Sequence, residues 1–342
     1  MSILETTKEL LKYPGISGFE KDFSLTLCEK LKKYCPDASV SKTNCVLGNI
    51  YSENSDAPTV MLEAHLDRIG LIVSSVDENG FVGFDTVGGV DERILPGAEV
   101  WILGQEKVLG IIGAKPPHIT DKDEAKKGIS ASNMLIDTGL GEKATEVIRV
   151  GDPILLDSKL CELIGGKISS AALDNRVSIA AIFEVLEELN EKILPVNLSV
   201  AFTSGEESGL LGAYTVAGEN APDLAVVLDV TYGRTPDADG CETFPLGSGA
   251  AILRGPNVHY DYTKKLMSVA KKNSIPFEIE VAPRSSGTTA WAIQTSGNGV
   301  PCVIISIPLR YMHTTVETVD LLDVQCVCSL LKEIICGGEV IA

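Results

Sequence analysis

Three segments decide the fold class: NRVSIAAIFEVLEELN (175–190), VNLSVAFT (196–203) and LAVVLDV (224–230). The first segment repeats its apolar residues at helical spacing, whereas the other two are short apolar runs typical of buried strands. Helices alternating with such strands are the pattern of a mostly parallel sheet that is covered by helices. The sequence therefore predicts a three-layer α/β/α domain.

The same alternation extends in both directions along the chain. An earlier strand is predicted at TVMLEA (59–64), and the S-x-x-E spacing of Ser17 and Glu20 predicts a capping box before a first helix. Toward the C-terminus the pattern predicts a helix, a strand and a final helix, at 260–273, 301–307 and 320–336. The α/β domain therefore draws on both ends of the chain.

A segment of different character interrupts this alternation. It is rich in glycine and carries four strand-like runs separated by short turns: GLIVSSV, GFVGFDTV, AEVWIL and VLGIIGA. We expect a β-rich insert, either a small barrel or a PDZ-like unit. The predicted domains are a discontinuous catalytic domain, 1–67 and 168–342, and the insert, 68–167.

Charge and composition limit the classes of partner. The 342 residues carry 29 Lys and Arg against 47 Asp and Glu, a formal charge of −18. This charge argues against nucleic acids and anionic membranes as partners. The chain has no signal-peptide pattern and no transmembrane run. Its nine cysteines are scattered without a C-x-x-C pair, which favours reduced thiols and a cytoplasmic location.

Acidic and histidine residues follow the predicted strands. The carboxyl ends of strands in an open α/β sheet form one edge, where binding sites are built. Four strand ends and one helix start contribute to this set: His65 and Asp67, Glu206 and Glu207, Asp229, His313, and Asp174. We therefore expect one shared site.

This set of residues suits a pair of metal ions. Two imidazoles with three carboxylates form a mixed nitrogen and oxygen donor set that fits zinc, cobalt or manganese. Such pairs activate water and polarise a carbonyl group. Adjacent residues of an extended segment point in opposite directions, so one of Glu206 and Glu207 could bind metal while the other takes a proton.

Seven segments spread along the chain resemble, in sequence and in order, the dinuclear metallo-aminopeptidases. This family includes glutamyl aminopeptidases and tetrahedral, twelve-subunit aminopeptidases. Some members of that family carry an older cellulase label. The resemblance extends over nearly the whole chain. Its segments are AHLDRIG (64–70), GAKPPH (113–118), ALDNRV (172–177), SGEESGLLGA (204–213), LDVT (228–231), SSGTTAWAI (285–293) and ISIPLRYMHTTVETVDL (305–321).

The resemblance implies a ligand set for two divalent metal ions per subunit, with zinc or cobalt preferred to manganese. His65 and Asp229 would hold one ion, and Glu207 and His313 the other. Asp174 would bridge the two ions, and the peptide bond that follows it would be cis.

The resemblance also implies the remaining roles. Glu206 would be the general base and then the general acid. Asp67 would accept a hydrogen bond from His65 and fix its tautomer. The insert would be the contact domain of a homo-oligomer built from dimers, up to a dodecamer. The substrates would be short peptides with a free N-terminus.

Two positions depart from the family pattern. Arg68 stands where the pattern has Glu, and Thr289 where it has Asp. A cation at 68 suggests a preference for acidic N-terminal residues through charge pairing. Three alternatives remain open at this point: a related amide hydrolase such as a deacylase or dipeptidase, a glycosidase, and a non-catalytic binding protein.

Overall fold

The computed structural model describes residues 2–119, 130–156, 158–238 and 242–341. The helices are α1 Ile3–Leu10, α2 Lys21–Leu31, α3 Ala144–Val147, α4 Leu173–Leu189, α5 Leu211–Asn220, α6 Tyr260–Lys272, α7 Ala290–Gln294 and α8 Leu321–Gly337. Short 3₁₀ turns lie at Glu92–Ile94, Pro117–Ile119, Ala131–Asn133 and Gly141–Lys143.

The strands form a large open sheet and a separate barrel. The first strands are β1 Ser39–Val40, β2 Val46–Ile50, β3 Thr59–His65, β4 Gly70–Val76, β5 Val82–Val87, β6 Glu99–Leu103, β7 Lys107–Gly113, β8 Leu135–Asp137 and β9 Pro153–Leu156. The later strands are β10 Cys161–Leu163, β11 Lys167–Ser170, β12 Asn197–Thr203, β13 Leu224–Tyr232, β14 Ala250–Arg254, β15 Phe277–Val281, β16 Cys302–Arg310 and β17 Glu317–Asp320.

The large sheet runs in the order β1-β2-β12-β3-β13-β16-β17-β11-β10, with β14 and β15 branching from β16. Its central strands, β12, β3, β13 and β16, pair in parallel. The outer strands are mainly antiparallel, so the prediction of a mostly parallel sheet is wrong outside the centre. The short links β10–β11 and β16–β17 are hairpin-like, and a parallel pair would need a much longer crossover.

Alternate residues of the central strands pack into two different apolar cores. Val60 and Leu62 of β3 belong to the core that includes α4 and α8, whereas Met61 belongs to the core that includes α5 and α7. This alternation follows from the pleat of the strand. The long apolar runs predicted as buried strands therefore have apolar neighbours on both sides.

The predicted β-rich insert is a closed six-stranded barrel, β4-β5-β8-β7-β6-β9. It has its own apolar core, made of residues between Leu71 and Leu156. Beyond the barrel, β10 and β11 join the large sheet through the pairing of β11 with β17. The closed barrel therefore begins and ends within 70–156.

One predicted helix start is wrong. Ser17 and Glu20 form no capping box, because α2 begins at Lys21 without a side-chain cap. Instead, the buried Glu20 carboxylate accepts hydrogen bonds from the Gly18 and Gly205 amides, at 2.9 and 3.1 Å.

In the described part of the chain, no helix is both long and apolar enough to cross a bilayer.

Candidate metal centre

The parallel centre of the sheet gathers the predicted residues at one edge. His65 ends β3 opposite Thr203 of β12, and the chain then continues from β12 to Glu206 and Glu207. Asp229 lies near the carboxyl end of β13. Asp174 lies at the start of α4, and His313 follows β16. The structure thus brings the predicted strand ends together.

Asp174 belongs to two groups of donor atoms. Its Oδ1 lies 3.0 Å from His65 Nε2, which is 3.7 Å from Asp229 Oδ1. Its Oδ2 lies 3.4 Å from His313 Nε2, which is 3.4 Å from Glu207 Oε2. Within each group the donor atoms are all within 4.8 Å of one another. The two oxygens of one carboxylate therefore face two separate three-residue groups.

Backbone carbonyl groups orient both histidines. His65 Nδ1 lies 3.1 Å from the Asp67 carbonyl oxygen, and His313 Nδ1 lies 2.9 Å from that of Gly89. A carbonyl can only accept, so each Nδ1 carries a proton, and each Nε2 faces the Asp174 carboxylate as the atom that would bind a metal ion after giving up its own proton. Gly89 lies in the segment after β5, so the barrel supplies one of these contacts.

The predicted hydrogen bond from His65 to Asp67 is present, but the backbone carbonyl of Asp67 accepts it and the side chain does not. The Asp67 carboxylate lies 3.7 Å from His65 Nδ1, beyond hydrogen-bond distance. It instead accepts hydrogen bonds from the Glu206 and Glu207 amides, at 3.0 and 3.1 Å. Because the loop amides point at this carboxylate, Asp67 fixes the position of the two glutamates.

Glu317 is a supporting residue that the sequence analysis missed. It is buried, and its carboxylate accepts hydrogen bonds from the Asp174 amide at 3.1 Å and the His313 amide at 2.9 Å. It therefore ties together the shared carboxylate and one histidine. The sequence signal was an acid four residues after His313, inside a segment already matched to the family.

The start of α4 has the backbone that the resemblance implied. The Asp174-Asn175 peptide bond is cis, as predicted. Asn175 Nδ2 donates to the carbonyl of Leu228 at 2.9 Å, next to Asp229. The helix start is thus fastened to the central strand that carries another donor.

Burial and like charges shift the ionisation of the site. Burial raises the pKa of Glu206 to about 9 and that of Glu207 to about 8, and neighbouring carboxylates add to both shifts. Burial acts to lower the pKa of His313, but the hydrogen bond with Asp174 and the charge of Glu207 raise it to about 10. The pKa of Asp174 is lowered despite its burial, because both histidines contact it.

A cavity of about 170 Å³ opens onto these groups. Its lining includes four of the five donor residues, Glu206, the 286–288 loop and five further residues. The full set is His65, Asp174, Glu206, Asp229, Val230, Thr231, Tyr232, Glu280, Ser286, Gly287, Thr288, Met312 and His313. Arg68 is not part of this lining. It is buried, and its guanidinium donates to the carbonyl of Leu156 in the barrel. The sequence-based reason for a preference for acidic substrates is therefore wrong.

Thr289 is also buried, behind the cavity wall. Its hydroxyl donates to the carboxylate of Glu63, which also accepts from Thr203. Burial raises the pKa of Glu63 to about 7, while both hydroxyls act to lower it. The position that departs from the family pattern thus faces a carboxylate supplied by β3.

The residues present fit divalent metal ions. The donors are imidazole nitrogens and carboxylate oxygens, the ligands of zinc and of similar first-row metals. Close packing around them is made possible by glycine. A Cβ at Gly89 would lie 2.8 Å from His313 Nδ1, and one at Gly88 would lie 3.2 Å from Glu207 Oε2.

The chain is similar to known proteins over most of its length. Residues 45–330 match the model of the M42 glutamyl aminopeptidase family. The lysyl aminopeptidase of Pyrococcus furiosus is 30% identical over 342 residues, covering 97% of this chain and 96% of that protein.

Solved structures share the fold. The TET aminopeptidase from a marine sediment Thaumarchaeota archaeon has a TM-score of 0.90 and 30% identity, over 98% of this chain and 96% of its own. The Pyrococcus horikoshii TET1 peptidase, which can assemble into a tetrahedron or a large octahedral shell, has a TM-score of 0.85 and 28% identity, over 97% and 99%.

Proposed function

The chain belongs to the M42 glutamyl aminopeptidase family of metal-dependent peptide hydrolases, and we propose that hydrolysis takes place in the cavity between His65 and His313. The observation that carries this proposal is the Asp174 carboxylate, whose two oxygens face two groups of donors. We infer a three-layer arrangement of the α/β part, supported by the two apolar cores that share β3.

Two metal ions are proposed per subunit. His65 and Asp229 would hold one ion, Glu207 and His313 the other, and Asp174 would bridge them. The charges support this number. With metal bound, the four carboxylates (Glu206 included) would be ionised and the two imidazoles neutral, and two divalent ions would balance the four negative charges. Zinc or cobalt would fit the donor set best, with manganese as a third candidate. Bound ions would polarise the peptide carbonyl and lower the pKa of a water molecule.

Glu206 is the proposed general base. Its carboxylate lines the cavity, whereas the neighbouring Glu207 carboxylate belongs to the second donor group. Glu206 would take a proton from the attacking water and return it to the nitrogen of the leaving peptide. Asp67 would assist by holding the amides of both glutamates.

Loss of the base tests this assignment. Glu206→Gln should retain metal and lose about 10²- to 10⁴-fold in kcat, the contribution typical of general acid–base catalysis. The rate would be measured with aminoacyl chromogenic substrates after chelation and return of zinc, cobalt or manganese. Glu78→Gln, at an exposed turn, is the matched control. Near-normal turnover by Glu206→Gln would refute the assigned base, and cleavage of an N-acetylated substrate would favour a deacylase.

The domain division is also a proposal. We infer a discontinuous catalytic domain from both ends of the chain and an inserted barrel, with the second boundary before Cys161 rather than at 168. The support for the earlier boundary is that β10 pairs with β11 in the large sheet.

The proposed assembly is a homo-oligomer built from dimers, up to a dodecamer, that would use the barrel as its contact domain. Its supports are the TET relatives and three half-exposed apolar side chains on barrel strands, Leu109, Ile111 and Leu135. Light scattering would measure the size.

A cytoplasmic location is supported by the thiols. The eight described cysteines are free, and burial raises the pKa of Cys35, Cys302 and Cys328 to about 12. Cys241 lies outside the described residues.

A further inference from the structure

One carboxylate in the lining of the cavity has no part in the proposed reaction. The acidic and histidine residues of that lining are His65, Asp174, Glu206, Asp229, His313 and Glu280. The first five are proposed metal ligands or the proposed base. Glu280, on β15, is the remaining one.

The Glu280 carboxylate is only half satisfied. Its Oε1 accepts a hydrogen bond from the Thr231 hydroxyl at 2.8 Å. Its Oε2 is buried and has no hydrogen-bond partner within the described part of the chain. A buried carboxylate oxygen without a donor is costly, because it has lost water without gaining a replacement. The position is therefore suited to a donor that arrives with a ligand.

The electrostatic surroundings favour a cationic donor. Burial raises the pKa of Glu280, and the charges of Glu242 and Asp229 add to that rise against the hydroxyls of Thr231 and Ser306. A positive group beside the carboxylate would oppose the rise and stabilise the charged form. A hydrogen bond to a charged group is also stronger than one between neutral groups.

We propose that Glu280 binds the free α-amino group of the substrate, and this inference rests on the proposed function. The α-carbon that bears this amine is bonded directly to the scissile carbonyl carbon. An acceptor for the amine must therefore line the same cavity as the donor groups, as Glu280 does. The ammonium of a lysine side chain is several bonds farther away. Glu280 thus selects for an unblocked N-terminus rather than for a basic side chain.

A pair of ligands that differ only in the amine tests this role. Leucinol carries the amino group, and 4-methylpentan-1-ol is the same molecule without it. Calorimetry on the metal-restored wild-type protein should show tighter binding of leucinol. In Glu280→Gln the ratio of the two Kd values should fall about 10- to 100-fold, the range for a hydrogen bond to a charged group. Metal content should not change, because Glu280 belongs to neither donor group.

Kinetics separate amine binding from side-chain specificity. Glu280→Gln should raise KM for leucyl, glutamyl and lysyl substrates by a similar factor. Glu278→Gln removes the same charge from the same strand, outside the cavity lining, and should leave the Kd ratio and all three KM values unchanged.

Distinct outcomes overturn the two proposals. An unchanged Kd ratio, or a loss confined to the lysyl substrate, would overturn the role of Glu280 while turnover by the wild type upholds the proposed function. Lack of turnover on all aminoacyl substrates after metal return would overturn the proposed function, whatever the calorimetry shows.

Discussion

The two donor groups of the proposed metal centre are built differently. In the group of His65, Asp174 and Asp229, the side chains are 2%, 6% and 8% exposed, and two of them lie on central strands. In the group of Asp174, Glu207 and His313, the histidine side chain is 29% exposed. Glu207 and His313 lie on loops after their strands, and His313 depends on a carbonyl from the barrel segment.

One half of the centre is therefore positioned by the strands of the sheet, whereas the other half is positioned by loops and by the barrel. Strand positions are fixed by ladder hydrogen bonds and apolar packing, whereas loop positions rest on a few polar contacts. We call the group of Asp174, Glu207 and His313 the exposed group, and we expect it to release its metal ion first during chelation. The following variants test the contrast.

The largest effect is expected from Asp174→Asn, which affects both groups at once. The amide nitrogen cannot serve as a ligand and the negative charge is lost, so the activity should fall by about 10³-fold or more, given that metal catalysis contributes several kcal/mol. Metal analysis should show weaker binding at both groups. Asp56→Asn, at an exposed loop, is the control. Loss of metal at only one group would contradict the shared role of Asp174.

An intermediate effect is expected from Gly89→Ala, which affects the exposed group alone. The added Cβ would lie 2.8 Å from His313 Nδ1 and displace the ring. Metal affinity at that group should fall by about 10- to 100-fold, as for other contacts that orient a ligand. Chelator titration followed by metal analysis would measure it.

The control for this variant is Gly113→Ala in the barrel, where the nearest atom to a new Cβ is 3.8 Å away. Equal weakening of both groups by Gly89→Ala would show that the two halves are not independent.

The smallest effect on catalysis is expected from Arg68→Met. Its guanidinium contacts the barrel and does not line the cavity, so the ratio of kcat/KM for glutamyl and leucyl substrates should stay within about two-fold. The free energy of unfolding should fall by about 1–3 kcal/mol, because the Leu156 carbonyl loses a charged donor. A larger change in this ratio of kcat/KM values would show that Arg68 does affect substrate specificity.

Much of the fold could be predicted because its signals are local. The helical spacing of 175–190 and the apolar runs at 196–203 and 224–230 coincide closely with α4, β12 and β13. The direction of the outer strands could not be predicted in the same way. It depends on which edge of the sheet each strand reaches, and apolar patterning does not encode that choice.

In the candidate site, the proposed ligands could be predicted from the sequence, whereas the groups that orient them could not. The order of the matched segments pointed to His65, Asp174, Glu207, Asp229 and His313, and these residues lie together in the structure. Their supports were harder to find, because a backbone carbonyl such as that of Gly89 has no sequence signature. Asp67 was expected to accept a hydrogen bond from His65, and its backbone carbonyl does so, but the role of its carboxylate, which accepts from two glutamate amides, was not predicted.

The sequence by itself determined the α/β alternation, the inserted β-rich unit and the residue types that suit metal chemistry. These depend on apolar spacing and on the order of residues along the chain. Only the tertiary structure decided that Asp174 faces both groups, that Arg68 turns away from the cavity and that Glu280 has a buried oxygen without a donor. Each of these outcomes depends on burial and on distances between segments far apart in sequence, which arise only when the chain packs.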